Sequence, residues 1–376
     1  MEFAVELTFD DPLKYLLRDS MEMLNDRDVT PLSIDEDYEP YLTLLVTRDG
    51  SRLHNLMPQS LPLQGSFPVS FIQFVLSPRL DCCLLPLMSP ELIQFHRNLF
   101  EKLVAEGLQI SQEYHPGSWT PNCMLAQTIP GDLLENAFRV ARNLALPFTG
   151  RVEQIRFVRF PSRNILSTYN FWEEVPPPGR RNYFNLFVSC DVYAFSFLYV
   201  LAVLTIQPFR MQYAIKLYFD DALKSKILDS MKWVRELNIP TLIKPEDEPH
   251  ITLLVTQPCS KPEDILPDSI PLVDKFPISL SLFSVLPRKN NLLCLLTAQS
   301  LNLTELHDNL YDALVTKGLQ IDKEYVPGVW FPHCTLAPSV PTDRVGNVCN
   351  ILAKVKLPLQ GDVEHVRLVQ LPPNCS

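Results

Sequence analysis

An internal repeat constrains this chain more than any other feature of its sequence. The stretch 106–126 (EGLQISQEYHPGSWTPNCMLA) aligns without gaps to 317–337 (KGLQIDKEYVPGVWFPHCTLA), and 13 of the 21 positions are identical. With short gaps, the same similarity links residues 1–46 to 211–255 and residues 146–161 to 357–372. Self-similarity at a fixed offset is typical of a repeated structural unit. The sequence therefore predicts two copies of one domain, an N-terminal copy at 1–163 and a C-terminal copy at 211–376.

The segment between the copies, residues 164–210, matches neither of them. Its run from 184 to 206 (FNLFVSCDVYAFSFLYVLAVLTI) is long and apolar enough to raise the question of a membrane span. Asn185 and Asp191 would be costly in hydrocarbon, and one span would place two copies of a soluble domain on opposite sides of a membrane. Three interpretations stay open: a linker, an apolar insert from an error in the gene model, and a span. The first two are favoured.

Composition and charge narrow the class of protein. The chain has 376 residues and a net charge of −10, with nine cysteines but no Cys-x-x-Cys pair. Extensive binding to nucleic-acid phosphates requires surplus Lys and Arg, so this charge argues against it. The C-terminal copy carries −3 and the N-terminal copy −7, so a small anion meets less repulsion in the C-terminal one. We expect free thiols and a cytoplasmic or nuclear location, without membrane association through 184–206.

Hydrophobic periodicity in the C-terminal copy indicates alternating strands and helices. Strands are predicted at 213–219, 250–255, 278–286, 292–296, around 333–337 and at 363–371, and helices at 221–236, 303–316 and near 342–353. The order falls into two similar parts, each with one His-x-Thr strand. It predicts an α+β fold, in which each copy is a bilobal two-sheet domain with a cleft between its sheets.

Two triplets carry the chemistry, His250-Ile-Thr252 and His333-Cys-Thr335. Successive side chains of a strand point to opposite faces, so each imidazole shares a face with its threonine hydroxyl. Facing one cleft, one histidine could take a proton from water and the other could give a proton to a leaving sugar oxygen, since the unperturbed pKa of His is about 6.5. The hydroxyls could donate hydrogen bonds to phosphate oxygens in the transition state. This chemistry predicts phosphodiester hydrolysis.

With these tetrads, His250-Ile-Thr-Leu and His333-Cys-Thr-Leu, the C-terminal copy resembles the two-histidine (2H) phosphoesterase superfamily, which includes 2′-5′ RNA ligase-like proteins and 2′,3′-cyclic nucleotide phosphodiesterases. The resemblance covers essentially all of 211–376. It implies a bilobal fold, metal-independent action on cyclic or 2′-5′-linked nucleotides, and a catalytic set made of these two histidines with Thr252 and Thr335.

The N-terminal copy departs from this pattern at the positions of the candidate catalytic residues. It has Tyr41 and Thr43 in the first triplet, and Asn122 and Met124 in the second. Neither a phenol with a pKa near 10 nor an amide shuttles protons at neutral pH. We therefore expect this copy to fold but to be catalytically silent.

Further residues are weighed by the same internal comparison. Phe331 lies two residues before His333, where its ring could stack on a base, and Thr120 replaces it in the silent copy. His96 and His307 occupy equivalent places in the two copies, which favours a structural role. No third ligand has a defined spacing to His250 and His333, so we expect neither a metal nor another cofactor.

The leading hypothesis is an enzyme whose substrate is a cyclic nucleotide or a short RNA end. The alternative is a non-catalytic module that binds nucleotides or RNA ends. In either case the N-terminal copy could be an interaction scaffold for a protein partner, which its charge suggests would be basic. The sequence does not identify that partner.

Overall fold

The structure is a computed structural model that describes residues 2–29, 38–60, 65–77, 79–160, 163–171, 211–241, 248–258, 275–287, 291–298 and 300–371. Within these stretches the chain forms seven α-helices and thirteen strands, and the strand pairings are antiparallel. The protein is a mixed α/β protein built on a large antiparallel sheet, which confirms the α+β prediction at this level.

We call residues 2–171 the N-terminal half and residues 211–371 the C-terminal half. The elements of the N-terminal half are β1 (Glu2–Phe9), α1 (Asp11–Asn25), β2 (Leu42–Thr47), α2 (Gly50–Ser60), β3 (Pro68–Leu76), β4 (Cys82–Pro86), α3 (Pro90–Ala105), β5 (Cys123–Ala126), α4 (Leu134–Asn143), β6 (Phe148–Phe160) and β7 (Asn164–Asn170). Those of the C-terminal half are β8 (Tyr213–Phe219), α5 (Asp221–Glu236), β9 (His250–Val255), β10 (Pro277–Leu286), β11 (Leu292–Thr297), α6 (Leu301–Thr316), β12 (His333–Ala337), α7 (Thr342–Leu352) and β13 (Leu359–Gln370).

The start of α5 shows how local sequence builds this framework. The carboxylate of Asp220 accepts hydrogen bonds from the backbone N–H of Leu223 at 2.7 Å and of Asp362, on β13, at 2.6 Å. It thereby caps the helix and fixes the strand to it, and these bonds lower the pKa of Asp220. A Cβ on Gly361 would lie 2.5 Å from the Cβ of Leu223, so only glycine allows this approach.

Six strands of the C-terminal half form a closed ring in the order β10, β11, β12, β9, β8, β13 and back to β10. The ring has two lobes, β10–β11–β12 and β9–β8–β13. One junction between the lobes is the pairing of β10 with β13, and the other is the pairing of Cys334 on β12 with Ile251 on β9. The second junction joins the two His-x-Thr strands directly.

The N-terminal half arranges its strands in the order β5, β4, β3, β6, β1, β2, with β7 added beside β6. Among the strands that the structure describes, no pairing links β2 to β5. In this respect the strand pairing of the N-terminal half differs from that of the C-terminal half.

The two halves share one sheet and are joined by apolar contacts. Leu76 at the end of β3 pairs with Val285 of β10. Beside this pair lies an apolar cluster that we call the inter-half cluster; its buried members are Val75, Cys83, Leu85, Leu286, Cys294 and Leu296. Burying one Val or Leu side chain contributes about 1.5–3 kcal/mol, whereas a hydrogen bond such as Arg142 to Asn291, at 3.2 Å, contributes about 0.5–1.5 kcal/mol net. Apolar burial thus contributes more to joining the halves than this hydrogen bond does.

The segment between the predicted copies lies mostly outside the described residues. Its first part forms β7, which pairs along β6 from Asn164 opposite Arg159 to Asn170 opposite Gln154. The boundary predicted at residue 163 therefore falls inside a β-hairpin. In the described parts of the chain, no helix combines the length and hydropathy that crossing a bilayer would need. The apolar run 184–206 is outside those parts.

Candidate active site

The first tetrad opens β9. His250 and Thr252 are half-buried, while the two residues that alternate with them are fully buried in the core. This is the alternation predicted for a strand with one anchored face. On the neighbouring strand β8, Tyr218 lies opposite His250 and Lys216 lies opposite Thr252. The accessible face of β9 thus adjoins an aromatic ring and a cation.

The second tetrad opens β12 in the same manner. His333 and Thr335 are half-buried, and Cys334 between them is fully buried, where burial raises the pKa of its thiol to about 12. On β11, Leu296 lies opposite His333. The imidazole of this strand therefore has an apolar neighbour on the side away from β9.

Pairing between Ile251 and Cys334 brings the two tetrads together. In an antiparallel ladder, the residues on either side of a pair are also opposite each other. Each histidine consequently stands across from the threonine of the other tetrad, and residues in such positions have Cβ atoms about 4.5–5.5 Å apart. All four side chains therefore lie on one face of the two adjacent strands.

Matching hydrogen bonds orient the two imidazoles. The Nδ1 of His250 is 2.8 Å from the carbonyl oxygen of Glu248, and the Nδ1 of His333 is 2.8 Å from that of Phe331. A carbonyl only accepts, so Nδ1 carries the hydrogen in both rings. In the neutral ring the lone pair is then on Nε2, and in the charged ring Nε2 carries the proton to be given away. Each histidine is set to exchange protons through Nε2.

Tyr218 is the centre of an aromatic and cationic group beside His250. Its ring centroid is 5.8 Å from that of His250 and 5.2 Å from that of His365, on which it stacks. The guanidinium of Arg367 lies 4.7 Å from the Tyr218 centroid. These contacts limit the space open to the His250 ring on one side.

Glu248 links this group to the backbone that holds His250. Its carboxylate bonds to Lys224 at 3.2 Å and to Arg367 at 3.1 Å, which lowers its pKa, while its carbonyl oxygen accepts from His250. The N-terminal half repeats this ionic cluster with Lys14, Glu39 and Arg156. The cluster is therefore part of the common framework, and in the C-terminal half it positions a candidate catalytic ring.

Trp330 ties the second tetrad to the strand of the first. Its indole Nε1–H donates to the carbonyl oxygen of Thr252 at 3.0 Å, and its ring stacks on His307 at 3.9 Å. His307 is 1% exposed, and burial lowers its pKa. The N-terminal half has the same arrangement in Trp119, Thr43 and His96. His307 and His96 are thus packing residues of the framework that the two halves share, and neither belongs to a tetrad.

Phe331 contacts both the site and the inter-half cluster. Its ring centroid is 6.0 Å from that of His333, and its half-buried side chain packs against the cluster. The sequence suggested the first contact, but it held no sign of the second.

Sequence reasoning missed Lys216. This residue lies between Thr252 and Arg367 on adjacent strands of the same face. Its counterpart in the N-terminal half is Glu6, which lies between Thr43 and Arg156 in the same way. The signal was a reversal of charge within a strand that is otherwise alike in the two halves.

In the N-terminal half, an ion pair lies where the first tetrad would act. The Arg163 guanidinium lies 3.3 Å from the ring centroid of Tyr41 and bonds to the carboxylate of Glu6 at 2.7 Å. Glu6 is 1% exposed, and burial raises its pKa to about 7 although Arg163 opposes the shift. Burial also raises the pKa of Tyr41 to about 12. This environment disfavours a negative charge.

Where the C-terminal half has its second tetrad, the N-terminal half has an amide and an apolar side chain. Asn122 donates from Nδ2 to the carbonyl oxygen of Thr120 at 3.2 Å, the counterpart of the bond that His333 makes. Met124 lies 3.6 Å from the thiol of Cys83 and packs on the inter-half cluster. The hydrogen-bond framework is kept here without a group that exchanges protons.

Among the residues that the structure describes, no group of three or more His, Cys, Asp or Glu side chains is arranged to hold a metal ion.

A large antiparallel sheet flanked by helices is consistent with the fold of two-histidine phosphoesterases. Residues 224–372 match the family model of the 2′-5′ RNA ligase superfamily. The match covers most of the C-terminal half and confirms the resemblance seen in the two tetrads.

The chain is also similar to solved structures, at low sequence identity. The PDE domain of MHV ns2 is 15% identical with a TM-score of 0.30, and the alignment covers 43% of this chain and 99% of that one. A second structure, of a phosphoesterase, is 14% identical with a TM-score of 0.32, and the alignment covers 46% of this chain and 99% of that one. Comparison with curated proteins gave no match.

Proposed function

We propose that the C-terminal half hydrolyses 2′,3′-cyclic phosphate or 2′-5′ phosphodiester bonds of nucleotides or RNA ends, without a metal ion. The observation that carries this proposal is the pairing of Ile251 with Cys334, which sets two imidazoles and two hydroxyls on one face of adjacent strands. The match of residues 224–372 to the family model of the 2′-5′ RNA ligase superfamily supports the same class of chemistry.

The proposed reaction is one general acid–base displacement. The Nε2 lone pair of one histidine takes a proton from water as the water oxygen bonds to phosphorus. The bond from phosphorus to the 2′ or 3′ oxygen breaks, and the Nε2–H of the other histidine, which is protonated, gives its proton to that oxygen. One water is consumed per bond, and both protons are accounted for. Because the imidazoles perform both transfers, the step itself requires no metal.

Phosphate recognition falls to the threonines and to Lys216. The hydroxyls of Thr252 and Thr335 donate hydrogen bonds to the non-bridging oxygens, on which charge builds in the transition state. Lys216, opposite Thr252, adds a positive charge on the same face. Phe331, beside His333, is the proposed aromatic contact for the substrate's base.

We further propose that the halves descend from one duplicated domain, and that the N-terminal one has lost catalysis. The repeated sequence, the repeated ionic cluster at Glu248 and Glu39, and the repeated Trp-to-carbonyl bonds support a common origin. In this proposal the half-buried Arg163, paired with the buried Glu6, and the side chain of Met124 occupy the region where a phosphate would bind.

The test is turnover by the full chain of 2′,3′-cyclic nucleotides and 2′-5′-linked oligoadenylate, with and without EDTA. We expect turnover that EDTA leaves unchanged, and a loss of about 10²–10⁴-fold in His250→Ala and in His333→Ala. Tyr41→Ala and Asn122→Ala, at the matching positions of the N-terminal half, are the controls and should retain activity. Binding without turnover would instead indicate a recognition module for nucleotides or RNA ends.

A further inference from the structure

A cavity of about 220 Å³ lies between the halves, beside the candidate site. The N-terminal half contributes Leu85, Met88 and Thr120 to its lining, and the C-terminal half contributes Leu296, Trp330 and Phe331. Pockets that hold a whole drug-sized ligand occupy about 300–1,000 Å³. This cavity therefore suits one ring system rather than a longer stretch of nucleic acid.

The cavity borders the strand that carries His333, because Phe331, Pro332 and Leu296 are part of its lining. Leu296 lies directly opposite His333 on the neighbouring strand, and Phe331 lies two residues before it on the same face. Two of the residues nearest to that imidazole thus also line the cavity. A ligand whose phosphate lies at His333 would have its attached group within reach of this space.

The chemistry of the lining selects a flat, largely apolar group. The rings of Phe331, Trp330 and Trp119 supply aromatic surface, and Leu85, Met88 and Leu296 supply aliphatic surface. The carboxylate of Asp308 is also part of the lining; its Oδ1 lies 3.0 Å from Nδ1 of His307, and its side chain is 43% exposed. A carboxylate accepts hydrogen bonds from amino or imino groups, so a planar ring with N–H groups on its edge matches both parts of the lining.

We infer that this cavity binds the nucleobase of the substrate and that the N-terminal half, although silent, supplies one of its walls. The inference rests on the proposed function, because that function places the phosphate at His333. It gives the N-terminal half a role that a lone C-terminal half could not fill: binding the base of a nucleotide whose phosphate lies in the other half.

Met88 tests this wall, because it belongs to the N-terminal half and has no part in the proton transfers. In the full chain, Met88→Trp fills the cavity with a larger ring. Met23→Trp, on the exposed side of α1, is the matched control. Adenosine 2′-monophosphate is the probe, and inorganic phosphate is the probe without a base. Calorimetric titration measures both affinities, and quenching of Trp fluorescence reports a base beside Trp119 and Trp330.

We expect Met88→Trp to weaken binding of adenosine 2′-monophosphate about ten-fold and to abolish the quenching, while Met23→Trp and the affinity for inorganic phosphate stay within two-fold of wild type. If Met88→Trp lowers the thermal midpoint of unfolding, Met88→Ala replaces it, with an expected loss of several-fold. Unchanged nucleotide affinity in both Met88 variants, or no nucleotide binding by the wild type, would overturn the inference.

The outcome is separable from that of the proposed function. If the chain hydrolyses cyclic nucleotides but the Met88 variants bind the nucleotide like wild type, base binding in the cavity is rejected and the proposed enzymatic function stands. If nucleotide binding depends on Met88 but the chain hydrolyses neither substrate, base binding in the cavity stands and the proposed enzymatic function is rejected.

Discussion

The indole nitrogen of Trp330 donates a hydrogen bond of 3.0 Å to the carbonyl oxygen of Thr252. Trp330 lies three residues before His333, so this bond joins the segment before the second tetrad to β9, the strand that carries His250. The bond between Trp119 and Thr43, at 2.9 Å, repeats this relationship in the half that has no His-x-Thr triplet. The same bond can therefore be removed from either half, and the two results separate stability from catalysis.

Trp330→Phe and Trp119→Phe should each lower the free energy of unfolding by about 1–3 kcal/mol, because a carbonyl oxygen in the interior loses its donor. Trp330→Phe should in addition lower kcat, since the register between the two tetrads loses a support. Chemical denaturation and steady-state kinetics on both variants check this. Equal effects of the two variants on kcat would contradict the proposed arrangement.

Glu248→Gln tests whether the ionic cluster positions His250. Removing the negative charge releases Lys224 and Arg367 and loosens the loop whose carbonyl oxygen accepts from His250. We expect a fall in kcat of about ten-fold with little change in KM, and less than about 1 kcal/mol in stability, because the pair is partly exposed. Glu39→Gln is the matched change in the other half. It should leave kcat unaltered, and a similar fall there would show that the effect is not local.

Lys216→Met should lower kcat/KM by about ten- to hundred-fold, the range expected when a charged donor to a phosphate is lost. Lys216→Glu, which introduces the residue type found at position 6, should lower it further by repulsion. Lys232→Met, on the exposed side of α5, is the control for a general loss of charge. If Lys216→Met is as active as Lys232→Met, Lys216 does not take part in binding the phosphate.

The elements of the C-terminal half could be predicted from sequence because their signals are local. Helix 221–236 and strand 250–255 were predicted with the bounds that the structure shows. The last strand was predicted from 363, but it begins at Leu359, where pairing with β10 extends it. Pairing partners of this kind depend on residues far apart in the chain, which local periodicity does not encode.

The candidate site shows the same limit. The two tetrads could be recognised from spacing and alternation alone. Their direct contact through Ile251 and Cys334, and the place of Lys216 beside Thr252, depend on which strands become neighbours. The wall supplied by Met88 depends on how the two halves pack together. Such relationships are set by burial across the whole molecule.

Glu6 gives the N-terminal half a pH-dependent stability. Its carboxyl is expected to lose its proton near pH 4.5 when unfolded and near pH 7 when folded. Between these values the unfolded state binds fewer protons, so the free energy of unfolding falls as pH rises. One pKa unit corresponds to about 1.4 kcal/mol, which makes the contribution of Glu6 about 3 kcal/mol across this window.

Glu6→Gln removes this dependence. Relative to wild type, the variant should gain about 3 kcal/mol in the free energy of unfolding between pH 4.5 and pH 8, measured by denaturation at both values. The exposed change Glu101→Gln, on α3, should show no such gain. If wild type and Glu6→Gln differ in free energy of unfolding by the same amount at pH 4.5 and at pH 8, this would contradict the prediction that Glu6 keeps its proton in the folded state.

The most direct test of the catalytic pair is a double-mutant cycle on kcat, with His250→Ala, His333→Ala and the double variant in the full chain, assayed on a 2′,3′-cyclic nucleotide in EDTA. Residues that act as one unit lose most of the rate when either is removed. We predict that each single variant falls by about 10²–10⁴-fold and that the double variant is little slower than either. Rate losses in the single variants that multiply in the double variant, or a single variant that retains wild-type kcat, would contradict an acid–base pair formed by His250 and His333.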